Sequence, residues 1–238
     1  MSRQAPGWSP LTPEPATEGL RERKKRQTRQ QLSDTATAMF LDRGFDAVRV
    51  ADVAAACGVS EKTVFNYFPV KEALVLDRLE GTLAALRTEL ADPALTPVEA
   101  ALRILDRELH GMTGWLSSAV DPAAVRQGIR RFGDLIRATP ALRAYQADMM
   151  DQFSSVATEI LAARAGMTQA DPEPQITARA LLGLWSVQAD SLRDHLDHAP
   201  DPARLHELVT ADVCRAAQLL DSGLRGFAGG HAIRPRRV

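Results

Sequence analysis

Val53-Ala54-Ala55-Ala56-Cys57-Gly58-Val59-Ser60-Glu61-Lys62-Thr63-Val64-Phe65-Asn66-Tyr67-Phe68 reads as two short helices hinged at a glycine. Ala54 is small where a second helix must cross the first, and Gly58, four residues later, accepts the positive φ of a sharp turn. Ser60 is a good N-cap for the helix that follows, because its hydroxyl can take an otherwise unpaired N–H of the first turn. Val53, Cys57, Val59 and Val64 are spaced to bury between the two helices and a third packed behind them. Glu61, Lys62, Thr63 and Asn66 stay outward, with Phe65 and Tyr67 beside them. The pattern is that of a helix-turn-helix; the same spacing also suits an ordinary helical corner.

Upstream, Leu32, Ala36, Met39 and Phe40 form one apolar stripe, closed by Gly44 just after Arg43, a helix stop with a cation in the last turn. This helix is expected to open around Gln30 and to pack behind the motif. Directly before it, Arg21 to Arg29 holds six basic residues, Arg26 among them, against one acidic. From Gly19 to Lys71 there are ten Lys/Arg against six Asp/Glu, a balance of +4, whereas the whole chain is at −1. A basic run beside a helix-turn-helix points to phosphate contact, which supplies affinity by counterion release. The alternative is a solvated charged tail.

With 238 residues, 45% of them hydrophobic, the chain can bury a full core in one or two domains. Cys57 and Cys214 are its two cysteines, and neither lies in a Cys-x-x-Cys or Cys/His ligand spacing, so no disulfide scaffold, metal site or cofactor is expected. No apolar run approaches the roughly 20 residues a bilayer requires, and the proline-rich start is not a secretory signal. A cytoplasmic protein without membrane contact is expected. Pro6, Gly7, Pro10, Pro13 and Pro15 mark residues 1–18 as a disordered extension, and residues 226–238 read as a flexible basic tail.

The remainder is helix after helix. One helix is expected from near Lys71, carrying Val75, Leu79, Leu83, Leu86 and Leu90 on one face. Then Thr96-Pro97, Asp121-Pro122, Thr139-Pro140, Asp171-Pro172 and Asp201-Pro202 each pair a capping side chain with a proline at the first helical position, where its missing N–H costs nothing. Glu99, three residues after Thr96, completes a capping box. Apolar stripes of helical period follow each start, and no strand alternation occurs. The fold class is all-α with about nine helices. The expected organisation is an extension (1–18), a helix-turn-helix domain (19–69), a larger helical domain (70–225) and a tail (226–238).

The run Gly44-Phe45-Asp46-Ala47-Val48-Arg49-Val50-Ala51-Asp52-Val53-Ala54, continued by Gly58-Val59-Ser60, Thr63, Tyr67-Phe68 and Lys71, resembles the DNA-binding domain of the TetR (tetracycline-repressor-like) transcriptional regulators. The resemblance implies a homodimer presenting a recognition helix, here Ser60 to Phe68, to each of two major grooves of a palindromic operator, with half-site centres about 34 to 36 Å apart or a multiple of that. By position, Lys62, Thr63, Phe65 and Asn66 fall where the family reads bases or nearby phosphates, and Tyr67 and Lys71 where it contacts phosphate. Arg49 stands where the family usually carries a capping Thr or Ser. An arginine cannot cap in that way but reaches a phosphate, so the second helix is expected to start less firmly, with Asp46 as stand-in.

In such a protein the larger domain dimerises and receives a signal. The last two long helices, about Pro172 to Leu196 and Pro202 to Leu220, are those that pair across the two-fold. The middle helices enclose an apolar or amphipathic effector, with His110, Trp115, Phe132, Met149, Phe153, Trp185 and Gln188 as lining candidates; each also fits as plain core. Asp190, Asp194, His195 and His198 have a spacing that can hold a divalent metal, although a helix C-terminus attracts histidine without one. No nucleophile, base or glycine-loop arrangement of an enzyme is present in the motifs. The function expected is a transcriptional regulator released from its operator by a small molecule. The alternatives are an architectural or ligand-independent DNA binder, or a regulator sensing redox state through Cys57.

Overall fold

The computed structural model describes residues 19–76 and 79–228, so the 1–18 extension and most of the expected tail lie outside the described residues. Among the described residues there are nine α-helices and no strand, the all-α class expected. The helices are α1 (Leu20–Arg43), α2 (Val50–Cys57), α3 (Glu61–Tyr67), α4 (Leu79–Glu89), α5 (Pro97–Ser118), α6 (Pro122–Ala138), α7 (Pro140–Ala165), α8 (Pro172–His195) and α9 (Pro202–Ala228), with a 3-10 turn at Lys71–Leu74. Two compact units divide the chain, Met1–Leu79 with Ser118–Asp148 and Glu80–Ser117 with Met149–Val238. This division differs from a cut at residue 69, because α6 and the first part of α7 group with the helix-turn-helix.

Two helix boundaries differ from expectation. Helix α1 opens at Leu20 rather than near Gln30, which puts the basic run on the helix itself. Arg, Lys and Gln are good helix formers, and the buried stripe farther along holds the helix that they extend. The expected single helix from Lys71 to Leu90 is interrupted: a 3-10 turn ends at Leu74, Val75 and Leu76 follow it buried and non-helical, and α4 begins at Leu79. Val75 and Leu76 are 6% and 9% exposed, so these apolar side chains serve the core of the first unit instead of continuing a stripe. Helix α9 runs to Ala228, past its expected end at Leu220.

In the first unit, Leu32, Ala36 and Phe40 of α1 pack with Phe45, Val48, Val53, Val64, Phe68 and Leu74, all buried. Phe40 and Phe45 meet with ring centroids 5.0 Å apart. Arg131 of α6 donates to the Leu41 carbonyl oxygen at the end of α1, satisfying an acceptor that the last helical turn leaves open.

In the second unit, α8 and α9 form a helical hairpin, with Leu181, Leu184, Leu205, Val209 and Val213 buried. Phe153, Ala157 and Leu161 of α7 and Ile104, Leu105 and Leu109 of α5 are buried as well. Arg164 of α7 donates to the carbonyl oxygens of Leu90 and Leu95 at 2.6 and 2.7 Å, closing the C-terminal end of α4.

All five capping-residue and proline pairs begin helices. Thr96 and Glu99 exchange the two hydrogen bonds of a capping box, at 3.2 and 2.8 Å, and the bond from the Thr96 N–H holds the Glu99 carboxyl below its ordinary pKa. Asp121 and Asp201 accept from Ala124 and Arg204 N–H at 3.0 and 2.8 Å. Asp171 turns the other way, accepting from the N–H and hydroxyl of Thr168.

Candidate nucleic-acid interface and effector region

The turn between α2 and α3 is closed by Gly58 at φ 69° and ψ 29°, a left-handed conformation that L side chains adopt at a cost. Ser60 then caps α3: its Oγ accepts the Thr63 N–H at 3.1 Å and lies 2.8 Å from the Thr63 hydroxyl. Only Val64 of α3 is buried among Glu61–Tyr67, which leaves Lys62 and Asn66 exposed and Phe65 48% exposed. An aromatic ring left half in solvent between a cation and an amide matches the donor and apolar inventory that reads base edges. Thr63 and Tyr67 are half-buried, the first held by Ser60.

The start of α2 corrects the expectation for Arg49. Asp52, not Asp46, supports it: the Asp52 carboxylate accepts the Arg49 backbone N–H at 2.9 Å and its guanidinium at 3.2 Å. The backbone bond foremost holds the Asp52 carboxyl below the ordinary carboxylate range, and the Arg49 pKa is raised by the same partner. The Arg49 side chain remains 79% exposed, so it keeps its reach toward a phosphate. Arg26 is half-buried on α1 within the basic run.

Lys71 departs from its expected place as an outward phosphate contact. Its Nζ donates to the Phe45 carbonyl oxygen at 2.6 Å and sits 4.1 Å and 5.5 Å from the ring centroids of Phe45 and Phe40. The ammonium is committed to tying the turn after α3 to the α1–α2 loop. Arg29, which the motif reading passed over as one member of a basic run, does the same for α3: it donates to the Tyr67 carbonyl oxygen at 2.9 Å and stacks over Phe68. Its signal was its position three residues before Leu32, on the buried side of α1. Cys57 is half-buried with Sγ 3.9 Å from the Gln31 carbonyl oxygen.

The seven effector candidates occupy different settings. Met149 and Phe153 are buried core, Trp115 is half-buried on α5, and Phe132 lies on α6 in the first unit. His110 is exposed and meets His206 edge-on at 5.8 Å; His206 in turn pairs with Asp106 at 3.0 Å. Gln188 lines a cleft of about 280 Å³ between α5, α8 and α9, with Leu102, Leu105, Thr210, Val213 and Cys214. Trp185 donates its indole N–H to Glu108 at 3.1 Å. Glu108 was missed, although a carboxylate three and four residues from Leu105 and Ile104 stands out on an apolar stripe.

Of Asp190, Asp194, His195 and His198, the first three are paired outside the set. Asp190 and Asp194 pair with Arg193, and His195 with Asp212 of α9. Among the described residues no group of three or more His, Cys, Asp or Glu is placed to hold a metal ion, and no helix is long and apolar enough to cross a membrane.

Residues 32–77 match the model of bacterial regulatory proteins of the tetR family, and residues 115–224 match that of the MftR C-terminal domain. The chain is 32% identical over 159 residues to the HTH-type transcriptional regulator TcmR of Streptomyces glaucescens, spanning 63% of this chain and 65% of that protein's length. It is 27% identical over 173 residues to the putative mycofactocin biosynthesis transcriptional regulator MftR of Mycobacterium tuberculosis, covering 72% and 83%. Among solved structures, a TetR-family regulator from Streptomyces coelicolor A3 aligns over 84% of this chain and 99% of its own at 19% identity and a TM-score of 0.45.

Proposed function

Because the chain belongs to the tetR family of bacterial regulatory proteins, we propose that it is a sequence-specific DNA-binding repressor, acting as a homodimer on a palindromic operator and released by a small molecule. The observation that carries the reading is the outer face of α3, where Lys62, Phe65 and Asn66 stand in solvent on a helix capped by Ser60 and braced from behind by Arg29. Lys62 donates to guanine O6/N7, Asn66 pairs with adenine, and Phe65 packs on a thymine methyl. Thr63, Tyr67, Arg49 and Arg26 set register on the phosphates, while Lys71 acts from within by holding the turn after α3.

Release follows from linkage: an effector that prefers the conformation with misplaced recognition helices lowers operator affinity by that preference, and a coupling of about 1 to 3 kcal/mol changes affinity roughly 5 to 150-fold. Effector candidates are the half-buried side chains Trp185 and Gln188, with an apolar or amphipathic molecule as the fitting class. The test is selection of randomised duplex DNA by the purified protein at about 150 mM salt, where phosphate-only binding is weakened. An enriched palindrome is the expected result; a pool without enrichment would replace the reading with that of an architectural binder.

A further inference from the structure

Glu61 is the acidic residue of α3, and its side chain is exposed. Among the described residues its carboxylate has no hydrogen bond and no ion pair. Glu61 and Phe65 stand one turn apart, as do Lys62 and Asn66, so the four form two adjacent rows along the helix. Phe65 is 48% exposed, and Lys62 and Asn66 are exposed as well. The Thr63 hydroxyl, by contrast, is engaged by Ser60 at 2.8 Å. The free carboxylate therefore shares the face that carries the lysine, the ring and the amide.

A carboxylate brought against duplex DNA is repelled by the phosphates, and Arg49 offsets that repulsion. Asp52 foremost, and Glu61 after it, raise the Arg49 pKa, and the Arg49 side chain is 79% exposed, so a cation stands within electrostatic reach of Glu61. An ionised carboxylate only accepts hydrogen bonds. On the major-groove edges the donors are cytosine N4 and adenine N6, whereas guanine O6 and N7 and thymine O4 are acceptors that repel it. Adenine sets its donor beside the N7 acceptor, which suits an amide such as Asn66 and opposes a second acceptor. Cytosine N4 is the donor that a carboxylate matches.

We infer that Glu61 is a specificity-determining residue that selects cytosine at one position of each operator half-site, its carboxylate accepting an N4 hydrogen and rejecting the other three bases. This rests on the reading of α3 as the recognition helix and adds a base to what that helix reads. Because Glu61 lies one turn from Phe65, about 5.4 Å along the helix against about 3.4 Å per base pair, the cytosine falls one or two base pairs from the thymine that Phe65 covers. The selection works by exclusion: the carboxylate adds little to general affinity and penalises each wrong base.

The test is selection of randomised duplex DNA, at about 150 mM salt, by the full chain and by its Glu61→Gln and Glu61→Ala forms. The native chain is expected to enrich a palindrome with cytosine at one position of each half-site, favoured about 5 to 150-fold over the other bases, the scale of one well-placed base contact. Glu61→Gln is expected to move that single preference to adenine, whose N6 and N7 an amide pairs with. Glu61→Ala is expected to erase it, and both variants are expected to keep the remaining positions. The side chain is exposed and without a partner among the described residues, so both variants keep the core intact. A Glu61→Gln chain that retains the native motif and binds every sequence more tightly by one common factor would show repulsion from phosphate alone and overturn the assignment. A cytosine preference that survives Glu61→Ala would overturn it as well. A native pool without any enriched motif would instead overturn the reading of α3 as a recognition helix, and this assignment with it.

Discussion

The guanidinium of Arg29 lies over the ring of Phe68, 4.7 Å from its centroid, while its NH1 donates to the carbonyl oxygen of Tyr67 at 2.9 Å. One side chain of α1 thereby holds both the last residue of α3 and the residue that ends it. The carbonyl is one of those a helix C-terminus leaves without an internal partner, and a cation is the favoured group there. Helix α3 has only Glu61–Tyr67 and one buried residue, Val64. A helix that short is not stable by propensity, so its orientation depends on such tertiary braces.

Arg29→Met keeps much of the apolar stem and removes both the hydrogen bond and the ring contact. It is expected to lower unfolding free energy by about 1 to 3 kcal/mol and to weaken binding to selected DNA. Chemical denaturation and fluorescence anisotropy read the two effects. A variant that unfolds with the native chain and binds DNA equally would show that the brace contributes nothing.

Lys71 and Arg49 separate structural from phosphate roles. Lys71→Met is expected to lower stability and to leave the slope of log affinity against log salt unchanged, because its ammonium is held by Phe45 and the rings. Arg49→Ala is expected to reduce that slope by about 1, the signature of one lost phosphate contact. Salt titrations of DNA binding for the two variants check the contrast, and a reduced slope for Lys71→Met would return that lysine to the phosphate set.

Two glycine replacements should have opposite signs. An added Cβ meets nothing within 4 Å at either Gly58 or Gly114, but Gly58 has φ +69°. Gly58→Ala is expected to destabilise by about 1 to 2 kcal/mol through backbone strain alone. Gly114→Ala, inside α5, is expected to stabilise by about 0.5 to 1 kcal/mol. Paired denaturation curves test this, and equal effects would remove conformation as the reason for Gly58.

Asp212 gives a pH dependence. Ser191 foremost, with His195 and Arg215, holds its carboxyl below the ordinary value. The unfolded chain then takes up the proton more readily than the folded one, so the contribution is complete above the ordinary aspartate range and is lost as pH falls through the lowered folded value. Asp212→Asn is expected to melt below the native chain at pH 7, and the gap is expected to close on acidification toward pH 3. A gap that widened would contradict the sign.

Helix starts were legible because their determinants are local. Pro97, Pro122, Pro140, Pro172 and Pro202 each open a helix, since a fixed φ and a missing donor act within one turn. The Gly58 turn and the Ser60 cap were legible for the same reason. Asp171 preceded its proline as expected, yet its carboxylate went to Thr168, because two nearby partners compete for one acceptor.

What the amino-acid order alone determined is thus the helical class, the helix-turn-helix and the charge it faces outward, all carried by periodicity and by contacts within a few residues. Only the tertiary structure decided that Lys71 is spent on Phe45, that Arg29 braces Tyr67 and Phe68, and that Trp185 meets Glu108 from 77 residues away. Each of these directs a charge or a ring toward a group on another helix. A side chain's position on its own helix selects the face it occupies, but which partner waits there depends on how the helices pack.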